Sequence, residues 1–337
     1  MRIGITYDLK EDGPGLDGRP DDFQEEFDSP ATIEAIAAVL RGLGHQVEKL
    51  GDGRELLERL LADPPDLVFN LAEGQGVGRS REARVPAVLE MLGIPYTGSD
   101  PLTLAVTLDK DCAKRLVASA GVAVPGGVTL YPEPFSLHTS EAKRQVDRLR
   151  FPVIVKPAWE GSSKGIRGKC LVDRPEDLPG VVESLGEDHR QPVLVEEYVR
   201  GDELTVGVLG NAPPRVLGVM RVLPTEPNGR FIYSLEVKRD YLRQVRYECP
   251  AALPPEVLGD IEQAALTAYE VLGCRDVARI DFRLRDGVPY FLEVNPLPGL
   301  NPESSDLVIM AGLVGVSHAE LIGSILEAAL DRLAEAG

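Results

Sequence analysis

Histidine is scarce in this sequence. Four residues among 337 lie far apart, which makes a histidine-centred triad a poor expectation. Cysteine is equally sparse. Cys112, Cys170, Cys249 and Cys274 are scattered without CxxC spacing, so they read as free thiols in a reducing compartment, not as zinc ligands or a disulfide framework. No apolar run reaches the length of a membrane span. Met1 leads directly into a strand-like run at 2–7, with no leader to remove, so a cytoplasmic protein without membrane partners is expected. Positive charge is also in deficit: 36 Lys and Arg face 54 Asp and Glu, for a net charge of −18. That balance argues against a nucleic-acid partner and against adsorption to anionic lipid. An acidic chain that handles phosphate must gather its cations locally and bridge the charge with metal. Internal repeats and low-complexity tracts are absent as well.

What is present centres on residues 279–301, RIDFRLRDGVPYFLEVNPLPGLN. Residues 278–284 alternate apolar and polar, Arg285-Asp286-Gly287 turns the chain, and 288–294 returns as a second strand. Alternate residues share a strand face, so Glu293 and Asn295 point the same way, and the hairpin can bring Asp281 beside them. Two carboxylates and an amide oxygen suit Mg²⁺ better than zinc. A surface hairpin with solvated charges is the plain alternative. Against it, both acids sit among apolar neighbours (Ile280, Phe282, Leu292, Val294), where an unpaired carboxylate is costly.

The length allows two or three α/β domains. Residues 1–97 alternate strand and helix: strands at 2–7, 46–50 and 67–71, and a helix opened by Ser29 as N-cap with Pro30 in its first turn. That alternation implies a parallel sheet, with ligand loops 8–28 and 72–80 beyond the strand ends. Residues 98–185 start with one helix-compatible stretch, 100–120. Later the buried-type strand 153–155 ends at Lys156, and the small-residue loop 158–168 follows. Such a loop lets backbone N–H groups approach phosphate oxygens. It lacks the Walker spacing, and a simple hairpin loop flanked by lysines is an equal reading. Residues 186–337 hold strands at 192–199, 204–209 and 216–222, a polar segment 225–247 that reads as a loop over a cleft, an amphipathic helix 258–272, the hairpin, and helices at 304–311 and 317–336.

Six ordered motifs, PYTGSD (95–100), LDK (108–110), VIVKPAWEGSSKG (153–165), VEEYVRGDELTVGVLG (195–210), GCRDVARIDF (273–282) and LEVNPLPGLNP (292–302), resemble the ATP-grasp superfamily, most closely its D-alanine–D-alanine ligase group. The resemblance implies a mixed α/β (α+β) ATP-grasp fold of three domains, 1–97, 98–185 and 186–337, with ATP held between the central and C-terminal lobes. It implies a ligase that phosphorylates a carboxylate and couples the acyl phosphate to an amine, a dipeptide or similar amide being the product. By motif match, Lys110 and Lys156 would hold ATP phosphates. Glu196, Glu197 and Val199 would line the adenine hinge, with only one of the two acids facing the cleft. Glu203 would bind the ribose, and Ser163 lies in the loop closing over the phosphates. Asp281, Glu293 and Asn295 would bind two Mg²⁺, with Mn²⁺ as an alternative. Arg279, Ser162 and Lys238 would act in catalysis. Gly299 and Ser304 or Ser305 would receive the second substrate's carboxylate. The resemblance is compatible with a homodimer and with closure of the central lobe over nucleotide.

Three segments depart from the family's pattern. The early SAExxVS-type loop, whose glutamate grips the first substrate's amine, has no counterpart in 9–28, where Glu25 or Glu26 is the available substitute. The HG after the third strand is replaced by Asn70-Leu71-Ala72-Glu73-Gly74, and Arg239 follows Lys238 where a tyrosine is usual. The reaction class is thus better specified than the substrates. A ligase for another amino-acid or small-acid pair, a non-catalytic nucleotide-binding regulator and an acyl-phosphate-forming kinase are the alternatives.

Overall fold

The computed structural model describes residues 1–10, 20–131, 140–226 and 229–336, so residues 11–19 of the divergent loop lie outside the described residues. The chain begins β1 (Arg2–Thr6), α1 (Pro30–Gly42), β2 (Gln46–Gly51), α2 (Gly53–Ala62), β3 (Leu67–Asn70) and α3 (Arg84–Leu92). These strands form a parallel sheet in the order β2-β1-β3, as the alternation implied. The Ser29 hydroxyl accepts from the Thr32 N–H at 3.1 Å and so caps α1. Ile33, Ile36, Ala37 and Leu40 then recur at helical spacing and bury against Ile3, Ile5 and Phe69.

Next come α4 (Pro101–Leu108), α5 (Lys110–Ser119), β4 (Gly127–Leu130), α6 (Ser140–Val146), β5 (Val153–Pro157), β6 (Leu171–Val172), α7 (Leu178–His189) and β7 (Val193–Glu197). The single helix expected over 100–120 is two. Asp109 takes an extended conformation (φ −82°, ψ 97°), and its carboxylate caps the second helix by accepting from the Cys112 N–H at 2.9 Å. The Lys110 N–H, freed at the start of α5, donates to the Ala158 carbonyl at 3.1 Å. The break therefore docks Lys110 against the glycine-serine loop. Apolar periodicity continues through the break, so it left no mark in the hydrophobic pattern.

The second sheet is antiparallel with order β4-β7-β5-β6. Because β7 lies between β4 and β5, this sheet runs past the division read at 185/186. Helices α4 and α5 depart from the expected grouping too: Ala113 and Val117 pack into the core of the third sheet. Strand pairing and helix docking across many residues decide such divisions, and local composition does not report them.

The remaining elements are β8 (Asp202–Leu209), β9 (Arg215–Pro224), α8 (Leu235–Arg239), α9 (Tyr241–Gln244), β10 (Val245–Glu248), α10 (Pro255–Val271), β11 (Val277–Arg285), β12 (Val288–Asn295), α11 (Asp306–Leu313) and α12 (His318–Ala336). The third sheet is antiparallel, β10-β9-β8-β11-β12. Helix α10 covers one face through Ile261, Ala265 and Ala268. Helices α11 and α12 join the other face to the N-terminal sheet in one core that includes Ile5, Met310 and Ile325. The segment expected as a loop at 225–247 contains two short helices and the start of edge strand β10, whose few polar residues carry no alternating apolar signal. Among the described residues no single helix is long and apolar enough to cross a membrane.

Candidate active site

The hairpin of β11 and β12 sets the geometry. Asp286 and Gly287 both have positive φ (53° and 79°), as a two-residue type I′ turn requires. The resulting register puts Arg279 opposite Asn295 and Asp281 opposite Glu293. On the other flank Asp281 faces Thr205 of β8, whose hydroxyl donates to Asp281 Oδ1 at 2.6 Å. Arg279 grips Asp281 with Nε at 3.1 Å and Nη2 at 2.9 Å and reaches Asp306 of α11 at 3.6 Å. Asn295 Nδ2 donates to Asp281 Oδ2 at 3.4 Å. Burial opposes the charge on Arg279, but Asp281 and Asp306 outweigh it and its pKa is raised.

Lysines from the facing elements converge on the same strands. Lys110 Nζ lies 2.9 Å from Glu293 and also donates to the Glu160 carbonyl. Lys156 Nζ is 2.6 Å from Glu196 Oε1, while Lys114 binds the second oxygen of Glu196. Burial works against the charge of each group here. For Glu293 the lysines prevail, Lys110 foremost and then Lys156, and its pKa falls well below the ordinary carboxylate value. For Lys156 burial prevails over the pull of Glu293, and its pKa falls to about 8. Lys114 is pushed well below the usual lysine value by burial and by Lys156.

Strand alternation separates the two hinge acids. Glu196 shares the cleft face with Lys156. Glu197 sits on the other face, where its carboxylate accepts from the Arg150 N–H at 2.9 Å. Glu203 on β8 is half-buried and pairs with Arg283 at 2.9 Å, and desolvation raises its pKa. Val199 is buried beside them.

The loop after β5 contains Ser162 and Ser163 in succession at φ 49° and 58°. Two consecutive non-glycine residues in the left-handed region are a local strain held by surrounding contacts. One such contact is Ser163 Oγ donating to the Tyr233 carbonyl at 3.0 Å; another is the Leu235 N–H donating to the Ile166 carbonyl at 3.1 Å. Lys238 on α8 stands over the Tyr233 ring at 5.0 Å. The Tyr233 hydroxyl in turn meets Asp306 at 2.9 Å and the Tyr247 hydroxyl at 2.6 Å.

These residues border two adjoining cavities. Lys156, Ser163, Glu196, Glu197, Val199, Glu203, Asp281 and Glu293 line the first. Lys110, Ser162, Arg279, Asn295, Glu26, Gly299, Ser304 and Ser305 line the second, of about 280 Å³. Tyr233, Lys238 and Asp306 border both. In the second cavity the Ser305 hydroxyl accepts from the Asn301 N–H at 2.9 Å, Ser304 Oγ donates to Asn301 Oδ1 at 3.1 Å, and Asn301 is tied to Thr32 at 2.9 Å.

Glu26 reaches the cavity but is not the free acid expected there. Its Oε1 accepts from the Gly161 N–H, and its Oε2 meets Arg81 at 2.7 Å and Lys164 at 3.1 Å. Burial would raise its pKa, but Arg81 and Lys164 hold it at about 2. A Cβ on Gly161 would lie 2.8 Å from Glu26 Oε1, so glycine permits this approach. Arg239, at the position of the usual tyrosine, pairs with Asp21 at 2.8 Å and with Glu25, tying α8 to the N-terminal segment.

Several site residues were not anticipated from sequence: Arg81, Lys114, Glu160, Tyr233 and Asp306. Lys114 is four residues from Lys110, one turn along the same face of α5, a spacing that was available as a signal. Tyr233 and Asp306 meet across 73 residues, for which a single sequence holds no signal.

A family model described as D-ala D-ala ligase C-terminus matches residues 116–327. The uncharacterized protein y4sG of Sinorhizobium fredii is 36% identical, over 88% of this chain and 86% of its own length. The D-alanine–D-alanine ligase of Aquifex aeolicus is 35% identical, over 88% of this chain and 93% of its own. A crystal structure of the D-alanine–D-alanine ligase from Bacillus anthracis complexed with ATP matches with a TM-score of 0.75 and 25% identity, covering 100% of both chains.

Proposed function

This chain belongs to the D-alanine–D-alanine ligase family and is an ATP-dependent C–N ligase, and we propose that its two adjoining cavities hold the nucleotide and the amino-acid substrates of that reaction. The observation that carries this reading is the shared wall. Tyr233, Lys238 and Asp306 border both cavities, so a terminal phosphate in one adjoins a carboxylate in the other.

Lys110 and Lys156 would bind the phosphates, with Lys114 acting through Glu196 to hold Lys156 in place. Glu203 would accept from the ribose with the oxygen that Arg283 leaves available. Asp281, Glu293 and Asn295 offer hard oxygen donors suited to two Mg²⁺. Among the described residues no three His, Cys, Asp or Glu side chains form a metal cage, which fits ions that take the rest of their shell from phosphate and water. When bound, the ions neutralise phosphate charge during transfer. A substrate carboxylate oxygen attacks the γ-phosphorus and ADP leaves. The second substrate's amine then attacks the acyl carbon, phosphate departs with the C–O electron pair, and the amine proton passes to solvent. Arg279 would stabilise the negative charge of the acyl phosphate and of the tetrahedral intermediate. Lys238 would meet the phosphoryl group at the shared wall.

Purified protein with ATP and Mg²⁺ is to be screened against pairs of D- and L-amino acids. Phosphate release that requires two amino acids, with the coupled product detected by mass spectrometry, is the expected result. Nucleotide binding without turnover for any pair would instead identify a regulator, and phosphoryl transfer to one acid without coupling a kinase.

Lys156 also makes nucleotide affinity sensitive to pH. A lysine titrating at about 8 is charged below that value and neutral above it, so the dissociation constant for ATP is expected to rise as pH increases through about 8. Lys156→Arg, which stays charged, should flatten that rise. An unchanged profile in the variant would reject the assignment.

A further inference from the structure

Three acids at the N-terminal end of the larger cavity have no role in the scheme above. Asp28, Glu73 and Glu82 all border it, and among the described residues none of their carboxyl groups makes a hydrogen bond or ion pair. Nearby charges do not supply the missing partners. Arg81 and Lys164 are matched by Glu26 and Glu160, and Lys110, which also pulls on Glu82, is matched by Glu293, so among the described residues Lys10 is the cation on this part of the wall without an ion-pair partner.

Glu82 is 7% exposed, and a buried carboxyl group without a partner is costly. Each acid responds to that environment. Burial raises Asp28 to about 7 against the pull of Lys10. It also raises Glu82 to about 7 against Arg81. Glu73 rises through burial and through Glu82. The acids do not form a metal cage. Glu73 feels the charge of both Glu82 and Asp28, and three neighbouring carboxyl groups on one wall supply more negative charge than a single ammonium group needs.

An α-ammonium group needs one carboxylate. The unmatched acids outnumber that need, even with Lys10 counted against them. Resting on the ligase reading, we propose that the substrate whose carboxylate is activated is a dibasic amino acid, its α-carboxylate toward Arg279 and Lys238 and its two ammonium groups toward Asp28, Glu73 and Glu82. The strand-end segment Asn70-Leu71-Ala72-Glu73-Gly74 and the rearranged role of Glu26 then belong to one change: the acid that would grip a lone amine is consumed by Arg81 and Lys164, and other acids line the pocket.

The test is calorimetric binding of lysine and ornithine, in D and L forms, compared with norleucine and alanine. Norleucine has the lysine chain without the second charge. One stereoisomer of lysine or ornithine is expected to bind at least about tenfold more tightly than norleucine. Glu82→Gln and Glu73→Gln should each weaken lysine and ornithine binding by a larger factor than norleucine binding, so that most of the difference is lost. Both variants replace a carboxyl with a neutral group of the same size, and their thermal midpoints check the fold. Alanine or norleucine binding as tightly as the dibasic acids, or a preference that survives both substitutions, would overturn the acidic subsite. Turnover assays judge the other reading separately. Phosphate release with any amino-acid pair upholds the ligase assignment whatever the preference, and a lysine preference in binding without turnover upholds the subsite while rejecting the ligase assignment.

Discussion

Glu293→Gln is expected to lower kcat/KM by about 10²–10³-fold and to raise the Mg²⁺ concentration needed for half-maximal turnover. The carboxylate stands opposite Asp281 across the hairpin and 2.9 Å from Lys110. Glutamine keeps its volume and removes its charge, leaving Lys110 with a carbonyl partner, Glu160. Because Lys110 and Lys156 depress the Glu293 pKa despite its burial, the native carboxylate is ionised throughout the working range, and no pH adjustment should restore the variant. A steady-state Mg²⁺ titration with a parallel thermal midpoint separates this loss from unfolding. Glu293→Asp, which keeps the charge, should retain more activity than the glutamine variant. Wild-type turnover in Glu293→Gln would sink the metal assignment.

The second large effect concerns Arg279. Its removal as Arg279→Met would leave the half-buried Asp281 and the buried Asp306 without their cation. Breaking a buried ion pair from one side costs about 3–5 kcal/mol, so lost activity in that variant would mix catalysis with stability. Arg279→Lys is the sharper experiment. It keeps the positive charge but gives up the planar fork that meets Asp281 through two nitrogens. Its kcat/KM is expected to fall about 10²-fold, while its denaturant midpoint falls far less than that of Arg279→Met. Equal losses of midpoint and activity in both variants would make Arg279 a purely structural residue.

Much of this site was legible because its donors lie on strands with clear periodicity. The alternation around Glu293 and Asn295 placed those two on one face, and the turn at 285–287 made a hairpin able to bring Asp281 beside them; the register that sets Asp281 opposite Glu293 came with the structure. The lysine after the strand 153–155 was visible for the same reason, since a β-run ending in a charge marks the mouth of a sheet. Glu26 shows the limit. Its position in the chain suggested an acid for a substrate amine, yet its partners Arg81 and Lys164 lie 55 and 138 residues away. No local pattern indicates that a carboxylate will be consumed by distant cations. The break at Asp109 was hidden differently: a capping aspartate inside an apolar stretch competes with helix continuation, and the contact with Ala158 decides the outcome.

The sequence alone determined the strand–helix alternation of the first sheet, the hairpin and its turn, and the motifs that identify the reaction class. Those properties depend on residues a few positions apart, through the two-residue repeat of strands, helix capping and turn stereochemistry. Only the tertiary structure decided that β7 completes the central sheet, that Lys114 and Lys156 share one carboxylate, and that Tyr233, Lys238 and Asp306 form the wall between two cavities. It also left the carboxyl groups of Asp28, Glu73 and Glu82 without a hydrogen bond or ion pair among the described residues. Pairing and burial of charge depend on which distant segments meet, and the stability of each ionised group follows from that meeting rather than from its neighbours in the chain.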